Sequence, residues 1–528
     1  MSTNTETRKH IPAPKTGQSL STAASPNRLI WPVVSILLIG AALRIALLTD
    51  NRFHPDEALF AALGRLIANG QDPWLSHTTL LVDKPPLFYY LLAAGISMSW
   101  ASELTARLPG LFASLIGMAL LARLARTLWG TDWAALLALI VYALSPIAIL
   151  FAPTAFADPQ LVMWVLASLC AVVAGRWGWA GLLYGLGLAT KQSALFFAVL
   201  IVGMGIIRGA ESREAQPGTW GRLLRFVVAA AIPVLLATAW DVGRTGATGY
   251  WSAGVAFNNP GRLARSNEVW ARALALLSWG RYAGGTALVS GALAVALLVF
   301  VLFEWDNAKH ELAGAPAALL LAGFLVAYAA VHWLVAFPIL DRYLLPMVPL
   351  GALLVGRGVV EAARRLRSQF SAALPWFEGA AALFLFGMLA MPALSAVKNV
   401  YPVGGDHGAF DGIDQIADEL GGFPEGTVVY YQSLGWSLHY YLFDAPVYLA
   451  PIDGPGALRS DLTTFGRSGG DRRYLVLASW DSDEEILGAV EEAGFCARLE
   501  TVKANRYGQR SFALYQILDP HYGSCDSS

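Results

Sequence analysis

The sequence predicts a polytopic α-helical membrane protein with a small α/β domain at its C-terminal end, and three observations carry that prediction. Of 528 residues, 56% are hydrophobic and 14% charged, whereas soluble domains run at about a quarter charged. The mean hydropathy is +0.50. The charge is unevenly placed: residues 1–394 hold 28 Lys and Arg against 19 Asp and Glu, and residues 395–528 hold 9 against 19. A water-soluble enzyme is excluded, and a basic membrane body joined to an acidic soluble portion is expected. The basic residues punctuate apolar runs rather than forming a stripe, so no nucleic-acid partner is expected.

Taken in order, residues 1–28 are rich in Ser, Thr and Pro and carry Arg8, Lys9, Lys15 and Arg28, the composition of a disordered cytoplasmic tail. Residues 29–49 form an apolar run with no small-residue cleavage signature after it. At about 20 residues it reaches across a bilayer as a helix, an anchor and not a removed leader. Further candidate spans fall near 107–128, 132–152, 159–175, 178–190, 193–208, 221–240, 282–303, 315–338, 343–358 and 374–395, eleven in all, with 11–13 the expected range. Pro85 to Trp100 is apolar but short and opens on Pro-Pro, which suits a helix lying at the membrane surface.

With the N-terminus cytoplasmic, the inner side receives Arg123, Arg126, Arg176, Arg208, Arg213, Arg222, Arg225, Lys309, Arg357, Arg364, Arg365 and Arg367, as the positive-inside rule requires. An odd number of spans then puts residues 396–528 outside a cytoplasmic (inner) membrane. That segment alternates helical and extended patterns: Asp411 to Leu420 helical, Thr427 to Tyr431 extended, Leu434 to Leu442 helical, Arg473 to Ala478 extended, Asp483 to Ala493 helical, then two closing strands ending near Leu518. Such alternation predicts an α/β layer structure. It carries no phosphate-cradling Gly-rich turn and no nucleophile elbow. The three cysteines, Cys170, Cys496 and Cys525, have no metal-ligand spacing; Cys496 and Cys525 are either a pair outside the cytoplasm or two thiols.

The chemistry-bearing residues concentrate in two expected outer loops, 50–106 and 241–281, of a membrane domain spanning 29–395. The first holds His54-Pro55-Asp56-Glu57 and Asp83-Lys84-Pro85-Pro86. Adjacent carboxylates at the mouth of a bundle can supply a general base and a companion that orients an acceptor; the same residues also make a good helix start. Lys84, held extended before proline, can meet a lipid-borne phosphate or snorkel at the interface. The second loop carries Arg244, Arg262, Arg265, Arg272 and Arg281 among Tyr250, Trp251, Phe257 and Trp270. Arginine forks match phosphate oxygens, with Arg262 and Arg265 the first choices, although ordinary anionic headgroups suit the same composition. Elsewhere, Asp158 either serves the site or caps the span after it, Lys191 either serves the site or punctuates a loop, and Asp341 and Arg342 are placed to pair with each other. Arg44 is read as snorkelling, and His332 as a hydrogen-bonded helix contact or an intramembrane functional group.

The Asp56-Glu57 pair after the first span, the run Lys84-Pro85-Pro86-Leu87-Phe88-Tyr89-Tyr90 and Arg107-Leu108-Pro109 opening the next span together resemble the GT-C glycosyltransferases that use polyprenyl-phosphate sugars. That group includes the protein O-mannosyltransferases and the aminoarabinose transferase acting on lipid A. Ala157-Asp158-Pro159, Gly185-Leu186-Gly187-Leu188-Ala189-Thr190-Lys191 and Asp341-Arg342-Tyr343-Leu344-Leu345-Pro346 agree with it, over residues 29–360. The resemblance implies inverting transfer of a hexosyl or pentosyl group from a polyprenyl-phosphate donor to a lipid, glycan or protein hydroxyl on the outer face. Asp56 would be the base and Glu57 its companion; Lys84, Lys191, Arg342, Arg262 and Arg265 would bind donor phosphate; Asp158, Asp83 and His54 would support them. His54 beside two carboxylates also leaves a divalent metal open. A transporter or a non-enzymatic envelope assembly protein shares the architecture, but a transporter has related halves and interrupted helices at mid-membrane, whereas the charges here cluster in loops.

The orientation is checked by a reporter active only in the cytoplasm: fused after Ser528 it is expected to be silent, and activity there would mean one span is miscounted.

Overall fold

The computed structural model describes residues 29–97, 101–211, 218–244, 246–258, 261–309, 314–369, 376–467 and 472–520. The expected tail 1–28 and Cys525 lie outside them. Among the described residues, seven helical segments are long and apolar enough to cross a membrane: Glu103–Trp129, Gln192–Ala210, Thr219–Gly243, Ala287–Lys309, Ala315–Leu334, Asp341–Ser368 and Phe377–Val397. Four shorter apolar helices, Ile30–Ile45, Pro86–Ser97, Asp132–Leu144 and Asp158–Val173, accompany them.

Proline explains one difference from the spans read in sequence. The continuous run expected at 132–152 is two helices, Asp132–Leu144 and Pro146–Phe151, divided at Ser145, whose ψ of 122° is extended. A residue before proline is pushed out of the helical region, and proline is at home in the first turn of the next helix. Both pieces are buried, which suits a helix pair at the centre of the bundle rather than at its lipid face.

The helix Trp177–Thr190 lies against Thr219–Gly243 at unusually close range. A Cβ placed on Gly181 would stand 2.0 Å from the Phe226 carbonyl oxygen, and one on Gly185 would stand 2.5 Å from that of Ala230. Two glycines four apart on one face let the backbones touch, the packing that membrane helices use where no hydrophobic effect drives them together. The Pro86–Ser97 helix buries Phe88, Tyr89 and Leu92, and Phe88 stands edge-on to Phe60 of the helix Pro55–Ala68 at 5.1 Å. The loop 50–106 is therefore a packed layer on the bundle.

The C-terminal sheet contains β1 (Val428–Tyr431), β2 (Tyr448–Pro451), β3 (Arg473–Ala478), β4 (Cys496–Ala504) and β5 (Arg510–Leu518), in the order β2-β1-β3-β5-β4. β1 runs parallel to β2 and β3, and β5 antiparallel to β3 and β4. Alternate side chains enter opposite layers: Val429, Tyr431 and Val476 pack with Ile413, Ile416 and Leu438, while Tyr430, Leu475 and Leu477 pack with Leu458, Leu462 and Ile486. The strand at 473–478 and the helix from Asp483 lie where the sequence puts them. β2 and the helix Pro455–Phe465 were not foreseen: β2 is a four-residue edge strand ending on Pro451, the kind of short, proline-blunted edge that carries little periodicity.

This domain docks on the loop 50–106. Asn399 Nδ2 donates to Asn51 Oδ1 at 2.9 Å, Arg52 pairs with Asp414 at 3.1 Å, and Arg506 reaches the Asp50 carbonyl at 2.9 Å. The Gly404 amide donates to Asp341 at 3.0 Å; its φ is +82° and a Cβ there would stand 2.7 Å from the Leu150 Cβ, a position that only glycine fills without strain.

Gly181→Val is expected to force the two helices apart and to destabilise the protein by about 1–3 kcal/mol, read as a lowered unfolding temperature in detergent; an unchanged temperature would mean the contact is slack.

Candidate active site

The segment His54-Pro55-Asp56-Glu57 builds its own helix start. His54 Nδ1 accepts the Asp56 N–H at 3.2 Å, and Glu57 Oε2 accepts the His54 N–H at 3.1 Å, with Pro55 in the first turn. This is a capping box with histidine in the place of the usual serine or threonine, and it fixes where the Asp56 carboxylate can stand.

Glu57 does not face a cavity large enough for a substrate. Fully buried, it receives the Arg107 Nε at 3.3 Å and the Ala155 N–H at 2.8 Å on Oε1. Arg107, itself buried, donates onward to the carbonyls of Asn51 at 2.8 Å, Leu48 at 3.3 Å and Arg52 at 3.0 Å, with its guanidinium 4.9 Å from the Phe53 ring. One ion pair thus joins the turn 48–52, the helix Pro55–Ala68, the helix Glu103–Trp129 and the strap at 155. Arg107 is part of the sequence motif, but nothing local in the sequence names Glu57 as its partner.

Beside this frame lies a cavity of about 240 Å³ lined by Lys84, Lys191, Gln192, Phe196, Trp251, Asn258, His332, Phe337, Arg342 and Tyr343 among others. Three cations therefore meet in one chamber, each backed by an aspartate. Lys84 pairs with Asp83, Lys191 Nζ reaches Asp158 Oδ1 at 2.5 Å, and Arg342 NH1 reaches Asp56 Oδ2 at 2.7 Å. The rest of the lining is aromatic and apolar. Asp158 is not a helix cap: it stands in the first turn and makes no capping bond. Nor does Arg342 pair with Asp341 through its side chain: Asp341 instead accepts the backbone N–H groups of Arg342 at 2.8 Å and Gly404 at 3.0 Å. His332 makes the expected helix contact, its Nδ1 donating to the Tyr328 carbonyl at 2.9 Å, and it also lines the cavity.

The electrostatics follow from burial. Burial alone would raise the Asp56 carboxyl, but the neighbouring Arg342, His54 and Lys84 outweigh it and hold its pKa below the ordinary value. For Lys191, burial pulls the ammonium down to about 8, with Arg342 and Lys84 acting the same way and Asp158 opposing them.

Arg262 and Arg265 do not line this cavity. Arg262 is exposed and held by both oxygens of Glu268 at 2.8 and 2.9 Å, and Arg265 stands at the start of the helix Ser266–Gly280. Other arginines of that loop serve structure: Arg272 donates to the carbonyls of His332 and Trp333, closing the end of the helix Ala315–Leu334, and Arg244 donates to Leu75 O at 3.1 Å. A cation at a helix C-terminus satisfies carbonyls that have no partner within the helix. What this loop brings to the cavity is Trp251, Gly254, Val255 and Asn258, and no sequence signal separates these from their neighbours. Arg44, expected to snorkel, is instead fully buried and bonded to Ser114 and to the carbonyls of Gly40, Tyr142 and Ala143.

Several of the donors that a metal beside His54 would use are already engaged. His54 Nδ1 is occupied by the cap, Asp56 Oδ2 by Arg342, and both Glu57 oxygens by N–H donors. Among the described residues no group of three or more His, Cys, Asp or Glu is arranged to hold a metal ion.

Comparison with known proteins finds similarity in both sequence and fold. Residues 83–236 match the family model for dolichyl-phosphate-mannose-protein mannosyltransferase. An undecaprenyl phosphate-α-4-amino-4-deoxy-L-arabinose arabinosyl transferase of Pseudomonas paraeruginosa is 26% identical over 404 residues, covering 71% of this chain and 67% of that protein. Among solved structures, ArnT from Cupriavidus metallidurans bound to undecaprenyl phosphate superposes with a TM-score of 0.61 at 14% identity, over 93% of this chain and 98% of that one. The Archaeoglobus fulgidus oligosaccharyltransferase gives 0.51 at 14% identity, over 91% and 73%. The chain is a multi-pass membrane protein with a GT-C-like fold, and it is similar in sequence to glycosyltransferases that carry that fold. Its fold is similar to that of ArnT across nearly the whole length.

Glu57→Gln leaves Arg107 buried without its counter-charge. Breaking such a pair costs about 3–5 kcal/mol, so the variant is expected to unfold at markedly lower temperature in detergent, and wild-type stability would show that the pair is not what holds the frame.

Proposed function

We propose that this protein transfers a sugar, with inversion, from a polyprenyl-phosphate donor to an acceptor hydroxyl on the outer face of the membrane. The observation that carries the reading is the meeting of Lys84, Lys191 and Arg342 in one largely apolar chamber, with Asp56 bonded to Arg342 from outside its lining. A phosphodiester on an isoprenoid chain has matching chemistry: an anionic head for the cations and an apolar tail for the aromatic lining. The match to dolichyl-phosphate-mannose-dependent transferases and the likeness to a protein crystallised with undecaprenyl phosphate support the same donor class.

In this mechanism the acceptor oxygen attacks the anomeric carbon as the bond to the phosphate oxygen breaks from the opposite face. The bonding electrons leave with polyprenyl phosphate, whose growing charge Lys84 and Arg342 offset in a poorly hydrated chamber. The hydroxyl proton passes to Asp56, which is ionised at neutral pH. Glu57 acts through position alone, by holding the helix that carries Asp56. Lys191, paired with Asp158 behind the cavity, adds charge from the far wall.

Asp56→Asn is expected to fold and insert yet to lose transfer by about 100-fold to 10,000-fold, as for other general bases; near wild-type turnover in reconstituted protein removes Asp56 from the mechanism. Lys84→Ala should weaken binding of undecaprenyl phosphate and lower turnover together, and Lys84→Arg should restore part of both because the charge persists with different geometry. Equal affinity in wild type and Lys84→Ala would return Lys84 to a purely interfacial role. Mass spectrometry of envelope lipids, glycans and proteins with and without the chain should show one sugar-bearing species lost, and unchanged profiles would count against transfer altogether.

A further inference from the structure

Arg342 touches both halves of this chemistry. Its side chain lines the cavity, while its NH1 donates to Asp56 Oδ2 at 2.7 Å with both side chains largely buried. Asp56 does not line the chamber. A guanidinium has five N–H donors, and among the described residues Asp56 is the carboxylate bonded to this one. A phosphate entering the cavity therefore competes for the same group that neutralises the base.

We propose that Arg342 is shared between Asp56 and the donor phosphate, so that Asp56 is held in an ion pair until a donor occupies the cavity and is released to take a proton as the phosphate draws Arg342 across. The proposal rests on the donor reading above. As the anomeric carbon–oxygen bond breaks, its electron pair passes to the phosphate oxygen and adds one negative charge there; the acceptor proton passes to Asp56 and removes one negative charge from it. Arg342 stands between the two and follows the charge. Without a donor the pair stays closed, and a water in the cavity meets no free base. The other groups facing Asp56 are His54 on its own helix start, Lys84 and Tyr343. His54 is tied into the cap and Lys84 is paired with Asp83, which leaves Arg342 as the partner a phosphate can recruit from Asp56.

Coupling of this kind is reciprocal: whatever attraction Asp56 exerts on Arg342 is subtracted from phosphate affinity. Removing the carboxylate should therefore tighten phosphate binding in the same variant that loses turnover. The test titrates undecaprenyl phosphate into purified, lipid-reconstituted wild type, Asp56→Asn, Arg342→Gln and the double variant. Asp56→Asn is expected to bind at least about 5-fold more tightly than wild type, Arg342→Gln more weakly, and Asp56→Asn placed on Arg342→Gln to bring no further tightening. Asp56→Ala gives the same comparison where the asparagine variant does not fold. Equal tightening in both backgrounds would be a general field effect and would overturn the sharing, as would no tightening at all. Failure of wild type to bind undecaprenyl phosphate would overturn the donor reading and the coupling with it, whereas binding without tightening overturns the coupling alone. A second readout is the pH profile of kcat/KM. Loss of Arg342 should move the acidic limb upward, because Asp56 then lacks the charge that holds it ionised, and an unmoved limb would reduce Arg342 to a structural contact.

Discussion

The buried Glu57–Arg107 pair is the constraint on which the site depends. At 3.3 Å and almost without solvent, it is costly to desolvate, and a lone charge in its place would be costlier still. The cost is met by further bonds: Glu57 also receives the N–H groups of Ala155 and His54, and Arg107 also reaches three carbonyls of the turn 48–52. Because these partners come from separate stretches of chain, the pair sets the helix Pro55–Ala68 at one angle to the bundle. Asp56, one residue away, is held by that frame.

The chamber beside it is built from compensated charges. Each of Lys84, Lys191 and Arg342 faces an aspartate, so the resting site carries its cations without strong net repulsion in a poorly hydrated environment. In the proposed reaction an incoming phosphate would meet cations that are already ordered, with part of the cost of fixing long side chains met before binding. The same economy explains the arginines of 241–281. Phosphate chemistry makes them attractive in sequence, yet several are already spent on carbonyls and on Glu268, and the loop contributes Trp251 and Asn258 to the cavity.

The C-terminal domain belongs to the same construction. It is tied to the loop 50–106 through Asn399 with Asn51, Arg52 with Asp414 and Tyr441 with Glu103, and Gly404 bonds to Asp341, one residue before Arg342. A domain whose own sequence carries no catalytic motif thus braces the residues on either side of the Asp56–Arg342 contact. That role was invisible in sequence because every one of these bonds crosses from one domain to the other.

What the sequence determined by itself is the class of molecule: long apolar runs require helices whose backbone bonds are satisfied internally within a bilayer, and the period-two and helical patterns after residue 396 require a small layered α/β unit. It also supplied the residue types of the site, since Asp56, Lys84, Asp158, Lys191 and Arg342 stand in short recognisable runs. Tertiary structure decided which carboxylate holds the frame and which joins a cation of the cavity, and which cations line that cavity. Glu57 and Asp56 are neighbours in the chain, but one is sealed against Arg107 and the other joins Arg342 across 286 residues. The reason is physical: the strength of an ion pair depends on distance and on the dielectric around it, and both are properties of the folded chain that neither hydropathy nor periodicity records.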